Sequence, residues 1–285
     1  MENKISNSFK SINIREIFAA KNPRLAKILP GFVYSYLNRM IHVDFFNDFQ
    51  QRNSHLTGIP YINKAVEEFN VKEHIHGVEN IPKTGRFIFA SNHPLGGFDG
   101  LLLIRNVDRY LGPSMFLIND ILMNITNLVS MFVPFNKHGN QSRKAAKLLD
   151  ETYRSTKQIL IFPYGLASRR IKGKIVDLKW EKHFISKAIQ YERDVIPVFI
   201  SGKNSNRFYI IANLRKFFRI KWNLEMFFLP DEAMRHRNSD IHIYFGKPLS
   251  YKMFNKTKTH YEWANFVKSI VYSLPKNDMP VSEIS

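Results

Sequence analysis

What most restricts the fold of this chain is the alternation, across residues 75 to 250, of short apolar runs with segments of helical periodicity. The runs "RFIFA" (86 to 90), "SMFLIN" (114 to 119), "MFVPF" (131 to 135), "QILIFP" (158 to 163), "DVIPVFIS" (194 to 201) and "IHIYFG" (241 to 246) read as strands. Between several of them lie helical patterns: "GLLLIRNVDRYL" (100 to 111), "SRKAAKLLDETYRST" (142 to 156) and "EKHFISKAIQYE" (181 to 192). "YEWANFVKSIVYSL" (261 to 274) reads as a final helix. Alternating strands and helices imply an α/β fold with a mostly parallel central sheet flanked by helices. In such sheets ligands sit beyond the carboxyl ends of the strands.

The first 70 residues read differently, as an N-terminal helical layer ahead of a domain spanning 71 to 285. Apolar residues recur there at mixed three-and-four spacing, interrupted by Pro23 and Pro30. Lys21, Arg24, Lys27 and Arg39 are interleaved with Leu, Ile, Phe and Tyr. That pattern suits a helix lying in a membrane interface, and equally a helical layer packed on the domain. The start of the chain reads without a secretory signal. The most apolar stretch, "ILMNITNLVSMFVPF" (121 to 135), is too short and too polar for a spanning helix, which needs roughly 20 apolar residues.

Composition limits the chemistry. With 44% hydrophobic residues in 285, the chain can bury a core. It contains no cysteine, which excludes disulfides, cysteine nucleophiles and thiolate metal sites. The net charge of +18 attracts something anionic, whether nucleic acid, an anionic membrane face or a charged substrate. A basic and aromatic stretch, residues 203 to 222, suits single-stranded bases or a lipid headgroup boundary. No RNA-binding signature accompanies it, so the membrane reading is preferred and no nucleic-acid partner is expected.

The densest chemistry lies in "GRFIFASNHPLGGFDGLLLI" (85 to 104). Here a strand gives way to a helix through Asn92, His93, Gly96, Gly97 and Asp99. Histidine accepts a proton near neutral pH, and a carboxylate can fix its tautomer and stabilise the imidazolium. Residues six apart do not meet on a regular helix, so the glycines must fold Asp99 back toward His93. Asp99 is also placed to cap the following helix, beginning near Gly100. A second strand end, "LIFPYGLASRRIKGKI" (160 to 175), carries Gly165, Ser168 and Arg169. A turn rich in donors there can hold an anionic or polar head group, or simply end a strand. A third, "MFVPFNKHG" (131 to 139), carries Asn136 and Lys137. Pro197, in or near the strand of "DVIPVFIS", could simply mark an edge position. There is no G-x-S-x-G elbow, no phosphate-binding glycine motif and no metal-ligand spacing around His74, His76 and His93. Neither a metal nor another cofactor is therefore expected.

The order of these blocks resembles the PlsC-like glycerolipid acyltransferase superfamily. "NHPLGGFD" is similar to its N-H-x4-D block, "FVPFNK" to its second block, "FPYGLASR" to its F-P-E-G-T-R-S block and "VIPVFI" to its proline-containing strand. The first block holds one more residue between His93 and Asp99 than the family has. Tyr164, Leu166 and Ala167 stand where the family has Glu, Thr and Arg to hold an acceptor phosphate. Lys137 replaces an Arg, keeping charge but losing the bidentate fork. The combination looks like a bacterial subgroup often labelled hemolysin, whose members include O-acyltransferases that finish ornithine or glycine lipids.

The resemblance implies acyl transfer from acyl-carrier protein or acyl-CoA to the hydroxyl of a lyso amino-acid lipid. His93 would be the general base and Asp99 its orienting partner. Asn92, Gly96, Gly97, Asn136, Lys137, Gly165, Ser168 and Arg169 would bind substrate. Gly96, Gly97 and Gly165 would supply backbone oxyanion donors, and Arg169 and Lys137 would meet the head group. A peripheral position on the cytoplasmic face of the cell membrane, on anionic lipid, goes with this reading. The alternatives are a 1-acyl-glycerol-3-phosphate acyltransferase and a non-catalytic basic membrane- or nucleic-acid-binding protein.

Overall fold

The computed structural model describes residues 11–21, 23–118, 123, 125–135, 143–220 and 223–277. Five helices come first: α1 (Ile14–Lys21), α2 (Pro23–Ile28), α3 (Gly31–Met40), α4 (Val43–Arg52) and α5 (Ile59–Phe69). Then follow β1 (Lys72–His76), β2 (Phe87–Ser91), α6 (Phe98–Leu111), β3 (Ser114–Ile118), β4 (Phe132–Pro134) and α7 (Arg143–Arg154). Next are β5 (Gln158–Ile161), β6 (Arg169–Ile171), β7 (Lys174–Val176), α8 (His183–Tyr191) and β8 (Asp194–Ile200). The last are α9 (Asn206–Phe217), α10 (Leu229–Arg235), β9 (Asp240–Phe245) and α11 (His260–Val271).

The main sheet has 7 strands in the order β1-β9-β8-β2-β5-β3-β4. Every neighbouring pair is parallel except β8 with β9. Successive side chains of a strand point to opposite faces. Phe87 and Phe89 of β2 accordingly join one core cluster, and Ile88 and Ala90 join another. The first face is covered by α5 and α6, through Ile62, Val66, Leu102 and Val107. The second is covered by α7, α8 and α11, through Tyr153, Phe184 and Val267. A strand buried on both faces reads as an unbroken apolar run, which is why β2, β3, β5 and β8 stand out in the sequence. Phe49 of α4 and the buried face of α5 belong to the first cluster, so α4, α5 and the sheet share one core. A smaller cluster of Ile14, Tyr34 and Val43 holds α1, α3 and α4 together.

Three elements escape the apolar pattern. β1, "KEHIH", has one large aliphatic residue, and a sheet edge does not demand more. Its His74 and His76 stack with His242 of β9. The two-stranded β6–β7 hairpin is exposed only around its turn, 171 to 174, and Arg169 at its base is buried. α9 occupies the basic and aromatic stretch, with Ser205 capping it by accepting from the Phe208 amide. Pro197 needs correcting: β8 lies between β2 and β9, in the interior of the sheet. The Pro197 carbonyl accepts from Gly246 N at 2.9 Å. Within an extended residue the amide nitrogen faces the same side as the carbonyl, so the missing donor faces the place where β9 has ended.

Arg193 closes the opposite end of the molecule from the carboxyl ends of the parallel strands. It is fully buried, and its guanidinium donates to the carbonyls of Tyr153 (2.9 Å), Ser155 (2.5 Å) and Lys157 (2.8 Å). It thus satisfies orphan carbonyls at the C-terminus of α7, where a cation is favoured. Burial pulls its pKa down to about 10.

Candidate active site

The carboxyl ends of β8, β2 and β5 lie side by side, and the loops leaving them meet. Asn92 locks the first pair. Its side chain donates to the Ile200 carbonyl at 2.8 Å and accepts from the Ile200 amide at 2.7 Å. Both ends of this buried amide are thereby used within the fold.

From there the chain turns so that His93 and Asp99 meet: Nδ1 lies 2.9 Å from Oδ2. Asp99 is fully buried and accepts from three backbone amides as well, Leu95 (2.9 Å), Gly97 (3.0 Å) and Gly100 (3.1 Å). Burial alone would raise its pKa. The charge of His93, the hydrogen bond from its ring and those from Leu95 and Gly97 outweigh that and hold the carboxyl below its usual range. An ionised Asp99 accepts from Nδ1–H, which leaves Nε2 with its lone pair. Among the described residues none hydrogen-bonds Nε2. The His93 side chain is 12% exposed, and its ring stacks on Phe162 at 4.0 Å between centroids.

Two details of the turn differ from expectation. Asp99 is the second residue of α6, inside its first turn, and Gly97 occupies the cap. Only Gly96 has the left-handed backbone, at φ +75. A Cβ there would lie 2.4 Å from Leu229 Cδ2 and 3.2 Å from Ala167 Cβ. The His93 loop is therefore pressed against α10 and against the loop leaving β5. Gly97 needs no such freedom, and its amide is committed to Asp99.

The β5 loop closes on the first. Ser168 is fully buried; its amide donates to the His93 carbonyl at 2.7 Å and its hydroxyl to Asp177 at 2.6 Å. Gly165, at φ +72, turns this loop. Arg169 points into the fold, where Nη2 pairs with buried Glu225 at 2.7 Å and Nη1 donates to the Ala167 carbonyl at 2.7 Å. Arg215 of α9 lies 2.8 Å from the other oxygen of Glu225. Asn136 and Lys137 lie outside the described residues.

Sequence reasoning missed Asp177, Glu225 and His236. Asp177 ends the β6–β7 hairpin, at no motif spacing. Glu225 follows the acid-free stretch by only a few positions, but nothing in the sequence pairs it with Arg169. Burial holds the His236 imidazole below its usual pKa, against the opposing charges of Asp99 and Glu232. Phe208 and Tyr209, counted among the aromatics of the basic stretch, are buried. Ile210, Leu214, Phe217, Phe218 and Ile220 are exposed, whereas Lys221 and Trp222 lie outside the described residues.

Comparison with known proteins gives the family of the chain. The chain is 41% identical over 264 residues to the lyso-glycine lipid O-acyltransferase of Bacteroides thetaiotaomicron, covering 92% of this chain and 97% of that protein. It is 40% identical over 264 residues to the protein of the same name from Phocaeicola vulgatus, covering 92% and 95%. A solved structure, the 1-acyl-sn-glycerophosphate acyltransferase PlsC from Thermotoga maritima, is similar with a TM-score of 0.48 and 16% identity, over 93% of this chain and 98% of that one. The acyltransferase family model matches residues 16–281, nearly the whole fold that carries the His93–Asp99 pair, and the chain belongs to that family.

Proposed function

We propose that the protein transfers a fatty acyl group from a thioester, on acyl-carrier protein or coenzyme A, to the hydroxyl of a lyso amino-acid lipid of the glycine-lipid class. The observation that carries the chemistry is the buried Asp99 carboxylate on His93 Nδ1, which leaves Nε2 as a base at the meeting point of two loops. The acceptor class rests on the 41% identity to a lyso-glycine lipid O-acyltransferase.

In this mechanism Nε2 takes the hydroxyl proton as the oxygen attacks the thioester carbonyl. The tetrahedral intermediate collapses, the carbon–sulfur bond breaks, and the imidazolium returns its proton to the leaving thiolate. Asp99 keeps the imidazole in the required tautomer and stabilises its charged form. No acyl-enzyme is needed. Because the Gly97 amide serves Asp99, the oxyanion donors we assign are the Gly96 and Gly165 amides. The acceptor has a carboxylate and no phosphate. For it we assign the field of Arg169 and Arg215, two guanidiniums against the single carboxylate of Glu225, together with Lys137.

We place the enzyme peripherally on the cytoplasmic face of the cell membrane. Among the described residues no helix is long and apolar enough to cross a membrane. Exposed Ile210, Leu214 and Phe217 recur on α9 beside Arg207 and Lys216, a pattern that suits insertion among anionic headgroups. Exposed Ile28 at the end of α2 and Phe32 and Tyr36 on α3 add further apolar side chains at the surface.

The test offers the purified protein palmitoyl-CoA or palmitoyl-acyl-carrier protein with either N-(hydroxyacyl)glycine or 1-acyl-glycerol-3-phosphate. Acylation of the glycine acceptor, lost in His93→Ala, is expected. Preference for the phosphate acceptor would replace the reading with phosphatidic acid synthesis.

A further inference from the structure

Asp177 belongs to no sequence motif, yet it sits where the His93 loop and the Ser168 loop touch. It follows β7, is 1% exposed, and each of its polar groups is used. Oδ1 accepts from Ser168 Oγ at 2.6 Å and from the His93 amide at 3.4 Å. Oδ2 accepts from Trp180 Nε1 at 2.8 Å. Its own amide donates to the Tyr272 hydroxyl at 2.7 Å, and its carbonyl accepts from Lys268 Nζ at 2.6 Å. The residue is therefore gripped from α11, and its carboxylate reaches out to both loops.

The contact closes a small ring. The Ser168 amide donates to the His93 carbonyl, the Ser168 hydroxyl donates to Asp177, and the Asp177 carboxylate accepts from the His93 amide. Among the described residues no arginine or lysine hydrogen-bonds this carboxylate; Lys268, which donates to the residue's own carbonyl, interacts with it through charge alone. Burial pushes its pKa up, against the opposing hydrogen bonds. Burying a carboxylate with no cation bonded to it is costly, and a neutral residue could close an ordinary turn more cheaply. What the carboxylate does that a neutral side chain cannot is accept from Ser168, His93 and Trp180 at once.

We propose that Asp177 is a positioning residue for acyl transfer. It sets the separation of the loop that carries the base from the loop that carries Gly165, so that both address one carbonyl carbon. The ring of His93 is oriented by Asp99, whereas its backbone is placed by Asp177 and Ser168. This rests on the reading of His93 as the base.

The test measures initial rates per folded molecule with palmitoyl-CoA or palmitoyl-acyl-carrier protein and N-(hydroxyacyl)glycine. The variants are Asp177→Asn, Asp177→Glu, Ser168→Ala and Asp177→Asn/Ser168→Ala. Arg193→Met, at the far end of the molecule, serves as a destabilised control, and His93→Ala is assayed beside them. Misplacement of a reacting group by about 1 Å can cost about 100-fold. Asp177→Asn is expected to lower kcat by about 10- to 100-fold with KM for the thioester changed less than about twofold. Asp177→Glu, one methylene too long, should not restore it. The double variant should be no slower than the worse single one, because both remove the same ring. If Asp177→Asn does not fold, Ser168→Ala decides alone, with the same kcat loss expected. A kcat equal to that of Arg193→Met in the variant that folds overturns the proposal. Activity surviving in His93→Ala would instead overturn the base assignment.

Discussion

Replacing Asp99 by Asn separates the two services this carboxylate performs. In the wild type it accepts four hydrogen bonds, from His93 Nδ1 and the amides of Leu95, Gly97 and Gly100. Asparagine keeps one acceptor oxygen and gains an NH2. With that oxygen on Gly97 and Gly100, the NH2 faces the Leu95 amide and His93. The Leu95 N–H loses its partner, a stability cost of about 1–3 kcal/mol. His93 Nδ1 can now only accept, so the ring proton moves to Nε2 and the base is gone. The comparable exchange in a Ser-His-Asp triad lowers kcat by about 10⁴-fold, or about 5–6 kcal/mol of barrier. The kinetic effect therefore exceeds the folding effect, and a folded, inactive protein is expected. The assay is initial-rate acyl transfer scaled to the folded fraction. A variant retaining more than about a tenth of wild-type kcat refutes the base assignment, given the size of that expected loss.

The same carboxylate shapes the acid limb of stability. Its folded pKa lies below its unfolded value, so the unfolded chain binds the proton first as pH falls. The stabilisation is complete above an unfolded value of about 3.9 and is lost as pH drops through the lower folded value. Asp99→Asn should flatten this part of the profile in urea titrations run between about pH 2 and pH 5. An unchanged slope there would contradict the depressed pKa.

Gly96→Ala drives a methyl group into Leu229 and Ala167 at a left-handed position. It should cost about 1–3 kcal/mol in denaturant melts and lower kcat, since the loop can relax only by moving His93. A melt and a rate within error of wild type would show that α10 yields freely. Phe217→Ser with Phe218→Ser removes two exposed rings from the end of α9. Binding to vesicles containing anionic lipid should weaken by about 100-fold or more, at about 1.5 kcal/mol or more for each of the two buried rings. Activity on acceptor dispersed in detergent should change little. Equal vesicle binding by variant and wild type would remove α9 from the docking face.

The parts of this protein that could be read from its residues are those where one physical requirement acts locally. A strand covered on both faces must be apolar throughout, so β2, β3, β5 and β8 were visible as runs, whereas β1 at the edge and the partly exposed hairpin were not. His93 and Asp99 were legible as a pair because a glycine-bearing turn was needed to join them, and Gly96 carries that turn. Tertiary structure alone decided the rest. Asp177, Ser168 and the His93 backbone meet because β5 lies beside β2, and that adjacency has no local sequence signature. Glu225 takes Arg169 out of solvent for the same reason: the energy of a buried ion pair depends on what the fold brings within a few ångströms, and the chain between the partners does not record it.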